Sequence, residues 1–426
     1  MGGTTSQNWT MKKQQKKTKT FAIGIEKLVH GGAGFARREG QVVFVPFSVP
    51  GDRLLVRPVE EKKTFIRAEI VRILKPGPGR VDPACPYFAR CGGCHWQQLD
   101  YSRQVEAKRQ ILEEVFHHRF PQTRELPIGM RASEQPFAYR SRARIQLRGS
   151  GAKASVGFFR RESHAVEDVA CCPLFRPSLN EALSSLRQYT LRVAAESGSR
   201  EMDMACSEEE NTWATVHTGP DADEGTTVLF GTRRREGVLL RRKIGDFIYS
   251  VTAATFFQAN DFVVPELVST VMESARDSGG GLALDLFSGV GLFSLPLARQ
   301  FARVITVENS PEASRLCSRN AAAAGLGNVQ PVCADVSAWL QSAGAADRPI
   351  DLIVLDPPRT GAGGVAMDRI RDARPNRIIY VSCDPQTLVR DLARISPHDY
   401  TIRRIEGLDM FPQTYHFETV VELGKN

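Results

Sequence analysis

The sequence predicts an α/β protein: a doubly wound, mostly parallel sheet ending in a β-hairpin, preceded by an oligonucleotide-binding-type β-barrel and a cysteine-bearing central α+β domain. Three observations carry the prediction. From Gly281 onward, short apolar runs alternate with helical patterns, as parallel strands joined by crossover helices require. Between Phe21 and Leu74, four strand-like runs are separated by strong breakers. Six of the nine cysteines fall between these two regions, five of them, Cys85, Cys91, Cys94, Cys171 and Cys172, in two tight groups.

Composition narrows the function classes. A chain of 426 residues is long enough for two or three domains with ample core. Lys and Arg number 56 against 48 Asp and Glu, and the +8 balance suits a polyanionic partner, nucleic acid first. Residues 1–20 carry Lys12, Lys13, Lys16, Lys17 and Lys19 with no apolar segment behind them, so they read as a disordered basic arm and not as a secretion signal. No apolar stretch approaches membrane-spanning length, which predicts a soluble protein. An odd, unevenly spaced set of cysteines argues against a secreted disulfide framework and for the cytoplasm; a monomer is expected.

The elements follow in order. Phe21–Ile25, Gln41–Phe47, Arg53–Val59 and Thr64–Leu74 are the barrel strands, giving a domain over 21–75. Gly31-Gly32-Ala33-Gly34 and Pro50-Gly51-Asp52 separate them, and Pro76-Gly77-Pro78-Gly79 marks the boundary. Arg37, Arg38, Arg57, Lys62, Lys63 and Arg67 are expected on its outside, as RNA contacts or as an ordinary charged surface. In the central domain, 76–250, Tyr101–Arg119 has the spacing of a helix able to pack on the next domain, and residues 197–237 read as loops. The last domain, 251–426, has strands at Leu282–Leu286, Arg303–Val307, Val329–Ala334, Ile350–Leu355 and Arg377–Val381, with helices Leu292–Phe301 and Pro311–Ala324. Strands Tyr400–Ile405 and Phe417–Leu423 have no helix between them, hence a terminal hairpin.

Chemistry gathers at the strand ends. Asp285-Leu286-Phe287-Ser288-Gly289-Val290-Gly291 leaves the first strand and opens a helix, and its two glycines let backbone approach a ligand closely. A dinucleotide fingerprint would want a third glycine where Ser294 stands. Glu308 ends the next strand, where it can hold ribose hydroxyls, and Asp335 follows the third, within reach of an adenine amine. A nucleoside cofactor without pyrophosphate, S-adenosylmethionine, satisfies this pattern better than a dinucleotide does. Cys383 follows an apolar strand, and Asp384-Pro385 reads as N-cap and first residue of a helix Gln386–Ile395. The expectation is that this helix start favours the thiolate. Cys85-x5-Cys91-x2-Cys94 supplies three thiols on a tight turn, with a fourth from Cys171 or Cys172; on spacing alone, zinc or an iron–sulfur cluster fits.

DLFSGVG, Asp356-Pro357-Pro358-Arg359, Ser382-Cys383-Asp384-Pro385, Phe256-Phe257-Gln258-Ala259-Asn260 and His416-Phe417-Glu418-Thr419 together make the chain resemble the RNA uracil-5-methyltransferase family over nearly its whole length. The resemblance implies a Rossmann-like class I methyltransferase domain and a TRAM barrel at the amino end. The cysteine spacing resembles members carrying a [4Fe–4S] cluster, which implies Cys85, Cys91, Cys94 and, immediately before Pro173, Cys172 as ligands. Both additions point to the 23S ribosomal RNA branch. The family's roles imply Cys383 as nucleophile and Glu418 as base, with Gln258 and Asp356 lining the cofactor and substrate site. Phe287, Gly289, Gly291, Glu308 and Asp335 match its cofactor-binding positions, whereas Leu292 replaces a polar residue common in relatives.

Uracil C5 is too weak a nucleophile to take a methyl group unaided, so a thiolate adds at C6 to create an enolate, and a base then removes the C5 proton. Arg359 is placed to stabilise the enolate oxygen or a phosphate, and Phe256, Phe257 and Tyr415 are candidate packing partners for an unstacked base. The competing readings are a transfer RNA uracil-5-methyltransferase, a cytosine-5 RNA methyltransferase and a catalytically silent RNA-binding factor.

Overall fold

The computed structural model describes residues 20–149, 154–192, 199–207, 209, 212–217, 229–231, 239–342, 349–395 and 399–426; all but the last residue of the expected basic arm lies outside them. The chain divides into two compact units, Met1–Val29 with Ala33–Arg80, and His30–Gly32 with Val81–Asn426.

The first unit contains β1 (Phe21–Gly24), β2 (Lys27–Leu28), β3 (Gly34–Arg38), β4 (Gln41–Val45), β5 (Arg53–Glu61) and β6 (Phe65–Lys75). Alternate residues, among them Val43, Val45, Leu54 and Val56, fill its interior. The order is β1-β5-β6-β4-β3-β2, with β4 and β6 parallel. One interrupted strand closes the sheet into a barrel: β1 pairs with β5, and β2, a few residues on, pairs with β3. Gly34 opens β3 instead of breaking the chain, because a Cβ there would lie 1.9 Å from Ser48 Oγ. Asp52, wholly buried, accepts the Val49 N–H at 2.7 Å, the Gly77 N–H at 2.8 Å and the Arg80 guanidinium, so the Pro76–Gly79 segment is tied to the barrel. Of the six outward cations, five pair with carboxylates of the same unit: Arg37 with Glu26, Arg38 with Glu39, Arg57 with Glu69, and Lys62 and Arg67 with Glu60. Much of this surface is therefore self-compensated.

The second unit opens with α1 (Tyr101–Arg119), capped by Asp100, and β7 (Ile128–Arg131). The buried stripe of α1 includes Ile111, Leu112 and Phe116, as its spacing predicts, but also the polar Gln104 and Lys108. Next come β8 (Arg142–Arg148), β9 (Ser155–Phe159), β10 (Val166–Asp168), α2 (Pro177–Arg192), β11 (Ser199–Ser207), β12 (Thr212–His217) and β13 (Leu229–Gly231). Their strands form an antiparallel sheet in the order β10-β9-β8-β11-β12-β13. This corrects the loops expected over 197–237, of which only part is described. Composition concealed a period of two: Met202, Met204 and Cys206 enter the core, while Glu201 and Asp203 face Gln146 and Arg144 of β8.

A hairpin, β14 (Leu240–Ile244) and β15 (Phe247–Val251), leads to α3 (Val264–Ala275). The α/β region then runs β16 (Leu282–Leu286), α4 (Ser294–Leu297), β17 (Arg303–Glu308), α5 (Pro311–Ala323), β18 (Val329–Cys333), α6 (Val336–Gln341), β19 (Leu352–Leu355), α7 (Gly364–Ala373), β20 (Arg377–Ser382), α8 (Pro385–Leu392), β21 (Tyr400–Leu408) and β22 (Glu418–Lys425). The sheet order is β18-β17-β16-β19-β20-β22-β21-β7, parallel through β20, with β22 antiparallel to both neighbours. The terminal hairpin is present as expected. The central region contributes to this sheet: β7 pairs in parallel with β21, and α1 packs on β7 and α8. The helix expected over Leu292–Phe301 shrinks to α4 plus turns, since Pro296 has no N–H for the Leu292 carbonyl, which accepts the Tyr249 hydroxyl at 3.0 Å instead.

Candidate active site

The turn after β16 is shaped by backbone that side chains disfavour. Phe287, Gly289 and Gly291 have φ of +60°, +54° and +93°. At Gly291 space also excludes a side chain, because a Cβ would lie 2.9 Å from Cys317 Sγ; at Gly289 nothing lies within 4 Å, and the turn opens outward. A Phe in left-handed backbone is strained, a feature that concentrates at ligand sites. Phe287 and Gly289 line one pocket with Phe256, Gln258, Leu292 and Asp356. Glu308 joins them through its carboxylate, which accepts the Gly289 N–H at 3.0 Å and the Ser310 N–H at 2.7 Å. Asp335 stands beyond β18 and N-caps α6, with Oδ1 accepting the Ala338 N–H at 2.9 Å. Neither Glu308, Asp335 nor Gly291 lines the pocket itself.

Asp285 is a member of the motif that the sequence reading assigned no role. It lies wholly buried in the apolar strand Leu282–Leu286, which is the signal that singles it out. Burial raises its carboxyl to about 7; Ser294 Oγ donates to Oδ2, and Oδ1 has no hydrogen-bond partner.

Strand register brings the reacting groups together. Ser382 pairs with Thr419, so one further antiparallel step sets Cys383 opposite Glu418. Asp384 and Pro385 cap and start α8 as the sequence predicts. The expected thiolate, however, is not favoured: burial, followed by the Glu418, Asp356 and Asp384 carboxylates, pushes the Cys383 thiol to about 12 against the pull of Arg359. The reason is local. Asp384 Oδ1 takes the Gln386 and Thr387 N–H groups at 2.9 and 3.0 Å, so the helix start is spent on its own cap. Glu418 is 3% exposed, and burial with the nearby Asp356 raises its carboxyl well above the usual range; Oε2 has no partner. Gln258 Nε2 donates to Asp356 Oδ2 at 3.3 Å, and both residues line the pocket beside Phe287, while the Asp356 carboxylate acts on Cys383 and Glu418.

The aromatic candidates divide. Phe257 is 4% exposed, packing in the core against Tyr249 while also lining the pocket. Phe256 is 68% exposed, and Tyr415 packs on His416 and His95.

Cys85, Cys91, Cys94 and Cys172 line one open pocket of about 810 Å³ with Arg140, Arg160 and Tyr87. None is in a disulfide, and burial followed by mutual repulsion raises Cys94 and Cys172 to about 12. Asn180 fixes Cys172 by bonding both its N–H and its carbonyl, at 2.9 and 3.1 Å, while Cys171 is exposed and lies off the pocket. Among the described residues, no group of three or more His, Cys, Asp or Glu is drawn into a geometry that holds a metal ion. The donor set still fits a four-thiolate group, because four half-buried thiols line one pocket and, once ionised, would repel one another unless a cation lay between them.

The model of the tRNA (uracil-5-)-methyltransferase family matches residues 239–426. An RNA methyltransferase of Thermosynechococcus vestitus is 32% identical over 95% of this chain and 98% of its own. The 23S rRNA (uracil(1939)-C(5))-methyltransferase RlmD of Shewanella amazonensis is 32% identical over 95% of each. Among solved structures, the Pyrococcus abyssi tRNA (uracil-54, C5)-methyltransferase in complex with S-adenosyl-L-homocysteine aligns with a TM-score of 0.70 at 25% identity, covering 94% of this chain and all of that one. With relatives of this identity along nearly its full length, the chain belongs to the RNA uracil-5-methyltransferase family.

Proposed function

We propose that this chain is an S-adenosylmethionine-dependent RNA methyltransferase that forms 5-methyluridine in 23S ribosomal RNA. The observation that carries this reading is Cys383 set opposite Glu418, beside an Asp356–Gln258 pair that opens into the cofactor pocket. S-adenosylmethionine supplies an electrophilic methyl group when bound. Gln258, Phe287, Gly289 and Asp356 would hold it in the pocket, Gly291 shapes the turn, and Glu308 and Asp335 at the flanking strand ends would hold its ribose and adenine.

The substrate uridine leaves its stack to enter this crevice. Cys383 gives its proton to water in the open crevice and adds as thiolate at C6, the C5–C6 electron pair moves onto the ring carbonyl, and the ring becomes an enolate nucleophilic at C5, with Arg359 facing the negative charge. After methylation Glu418 takes the C5 proton. Its electron pair forms the C5–C6 double bond, the C6–S bond breaks, and the sulfur leaves as thiolate. Glu418 can take that proton only as its carboxylate, so the carboxyl first releases its own proton to water, and the burial that raises it then makes the carboxylate a strong acceptor.

RNA binding draws support from the cleft between α1 and α8, where Arg119, Arg124, His118 and Arg390 gather next to Gln386, three residues beyond Cys383. A cytoplasmic, monomeric enzyme is the proposal; no helix among the described residues is long and apolar enough to cross a membrane. Transfer RNA is the rival substrate, since the matching family and the Pyrococcus structure carry that name.

RNA containing 5-fluorouridine tests the mechanism. Fluorine at C5 blocks proton removal, so in the presence of cofactor a denaturant-stable adduct on Cys383 is expected. A competent RNA that gives no adduct sinks the reading. Mapping 5-methyluridine in ribosomal and transfer RNA from a deletion strain decides the substrate.

Cys85, Cys91, Cys94 and Cys172 are proposed to hold a [4Fe–4S] cluster with a structural role, zinc being the alternative. Protein purified without oxygen is expected to be brown with stoichiometric iron and sulfide. A colourless preparation with one zinc per chain reverses the assignment.

A further inference from the structure

A hairpin turn needs about two to five residues, yet the connection between β21 and β22 runs from Asp409 to Phe417 and delivers Glu418 at its end. Four successive carbonyls in it are each taken by another part of the fold. Asn260 Nδ2 donates to the Met410 oxygen at 3.2 Å, Lys108 Nζ to Phe411 at 3.1 Å and the Tyr139 hydroxyl to Pro412 at 3.1 Å. The Gln413 oxygen receives two donors at 3.0 Å, the backbone N–H groups of His95 and Trp96, which directly follow Cys94.

Gln413 is the most heavily bonded of these residues. It is 3% exposed and held at φ +68°, a backbone conformation that a non-glycine residue keeps only where its surroundings over-determine it. Its N–H donates to Gln104 Oε1 at 2.9 Å, and its side-chain oxygen accepts Gln104 Nε2 at 3.0 Å. Gln104, wholly buried in α1, also donates to the Trp96 and Leu99 carbonyls at 3.1 and 2.8 Å. The three-cysteine turn, α1 and the loop bearing the base therefore meet at one pair of glutamines.

We propose that Gln104 and Gln413 are positioning residues, through which α1 and the turn after Cys94 hold Glu418 in place for removal of the C5 proton. The inference rests on the reading of Glu418 as the base. It assigns the cysteine-bearing turn a task in the reaction that needs no electron transfer: its backbone is one wall of the mould that sets the loop. Of the two reactive groups only Glu418 is delivered by this loop, since Cys383 follows β20. Damage to the glutamine pair should accordingly separate addition from elimination.

The test uses the full chain with its cysteine site loaded. Gln104→Ala is expected to lower turnover on the order of 10²-fold, the scale of a misplacement of about 1 Å, with the KM for RNA little changed. Addition and methyl transfer still proceed, so a denaturant-stable complex between enzyme and unmodified RNA, scarce in the wild type, should build up during turnover. Gln413→Gly keeps the backbone bonds and tolerates the positive φ; it should shift the same way by less, which guards against a first variant that fails to fold. Unchanged turnover in folded variants overturns the proposal, and so does a loss of turnover without accumulated complex. A wild-type enzyme that forms no adduct with 5-fluorouridine RNA would instead overturn the parent reading of Cys383 and Glu418.

Discussion

Glu418→Gln should abolish turnover, by several orders of magnitude, and at the same time make the protein more stable above acidic pH. The two effects share one cause. The carboxyl is buried, its Oε2 has no hydrogen-bond partner, and burial with Asp356 nearby lifts it well above its ordinary 4.5. A carboxyl whose folded value is raised contributes stability that is fully present below the unfolded value and is lost as pH rises through the folded one. The wild type therefore weakens across that window by about 1.4 kcal/mol per pH unit. Glutamine mimics the neutral acid and has no proton to lose. Thermal melts of the two proteins should nearly coincide near pH 4.5 and separate as pH rises, with the variant the more stable. The variant should also retain substrate RNA covalently, because Cys383 can add but nothing removes the C5 proton. Parallel melts at all pH values would show that Glu418 is not held neutral.

Lys108→Met should destabilise the second unit by about 3–5 kcal/mol, the usual result of leaving one member of a buried ion pair alone. Lys108 and Asp409 are both wholly buried, with Lys108 Nζ 2.5 Å from Oδ1, and Asp409 Oδ2 accepts no hydrogen bond. Burial lowers the ammonium despite the attraction of Asp409, so desolvation outweighs the pairing. The pair itself need not be stabilising. Lys108→Met combined with Asp409→Leu removes both charges and should recover most of the loss in denaturant melts. If the double variant is no better than the single one, the uncompensated carboxylate is not the cause.

How legible the molecule is from its sequence depends on how far apart the interacting residues lie. β16, β17, β19 and β20 read directly, because parallel strands buried on both faces are continuous apolar runs bounded by turn signals. β11 did not, since its acidic residues masked an alternation that only its pairing with β8 makes meaningful. The short α4 was overestimated because hydrophobic spacing does not register the missing N–H of Pro296. In the site, Gln258, Asp356, Cys383 and Glu418 stand out as motif residues; Gln258 bonds Asp356, whose carboxylate acts on both Cys383 and Glu418. The charge state of Cys383 was misread, because an N-cap and a nucleophile compete for the same helix start and Asp384 takes it.

The order of the elements, the two glycines and acidic residues at the strand ends, the motifs bearing Cys383 and Glu418 and the grouping of the cysteines are legible in the chain alone. These are properties of a residue and its near neighbours: turn propensity, hydrophobic period, ligand spacing. Only the tertiary structure decided what holds Glu418 in place, which carboxyls are pushed toward neutrality, and that α1 with β7 completes the catalytic sheet. The physical reason is that burial and long-range hydrogen bonding are not local quantities. Lys108 and Gln104 look like ordinary polar helix residues until Asp409 and Gln413, 301 and 309 positions away, meet them out of water.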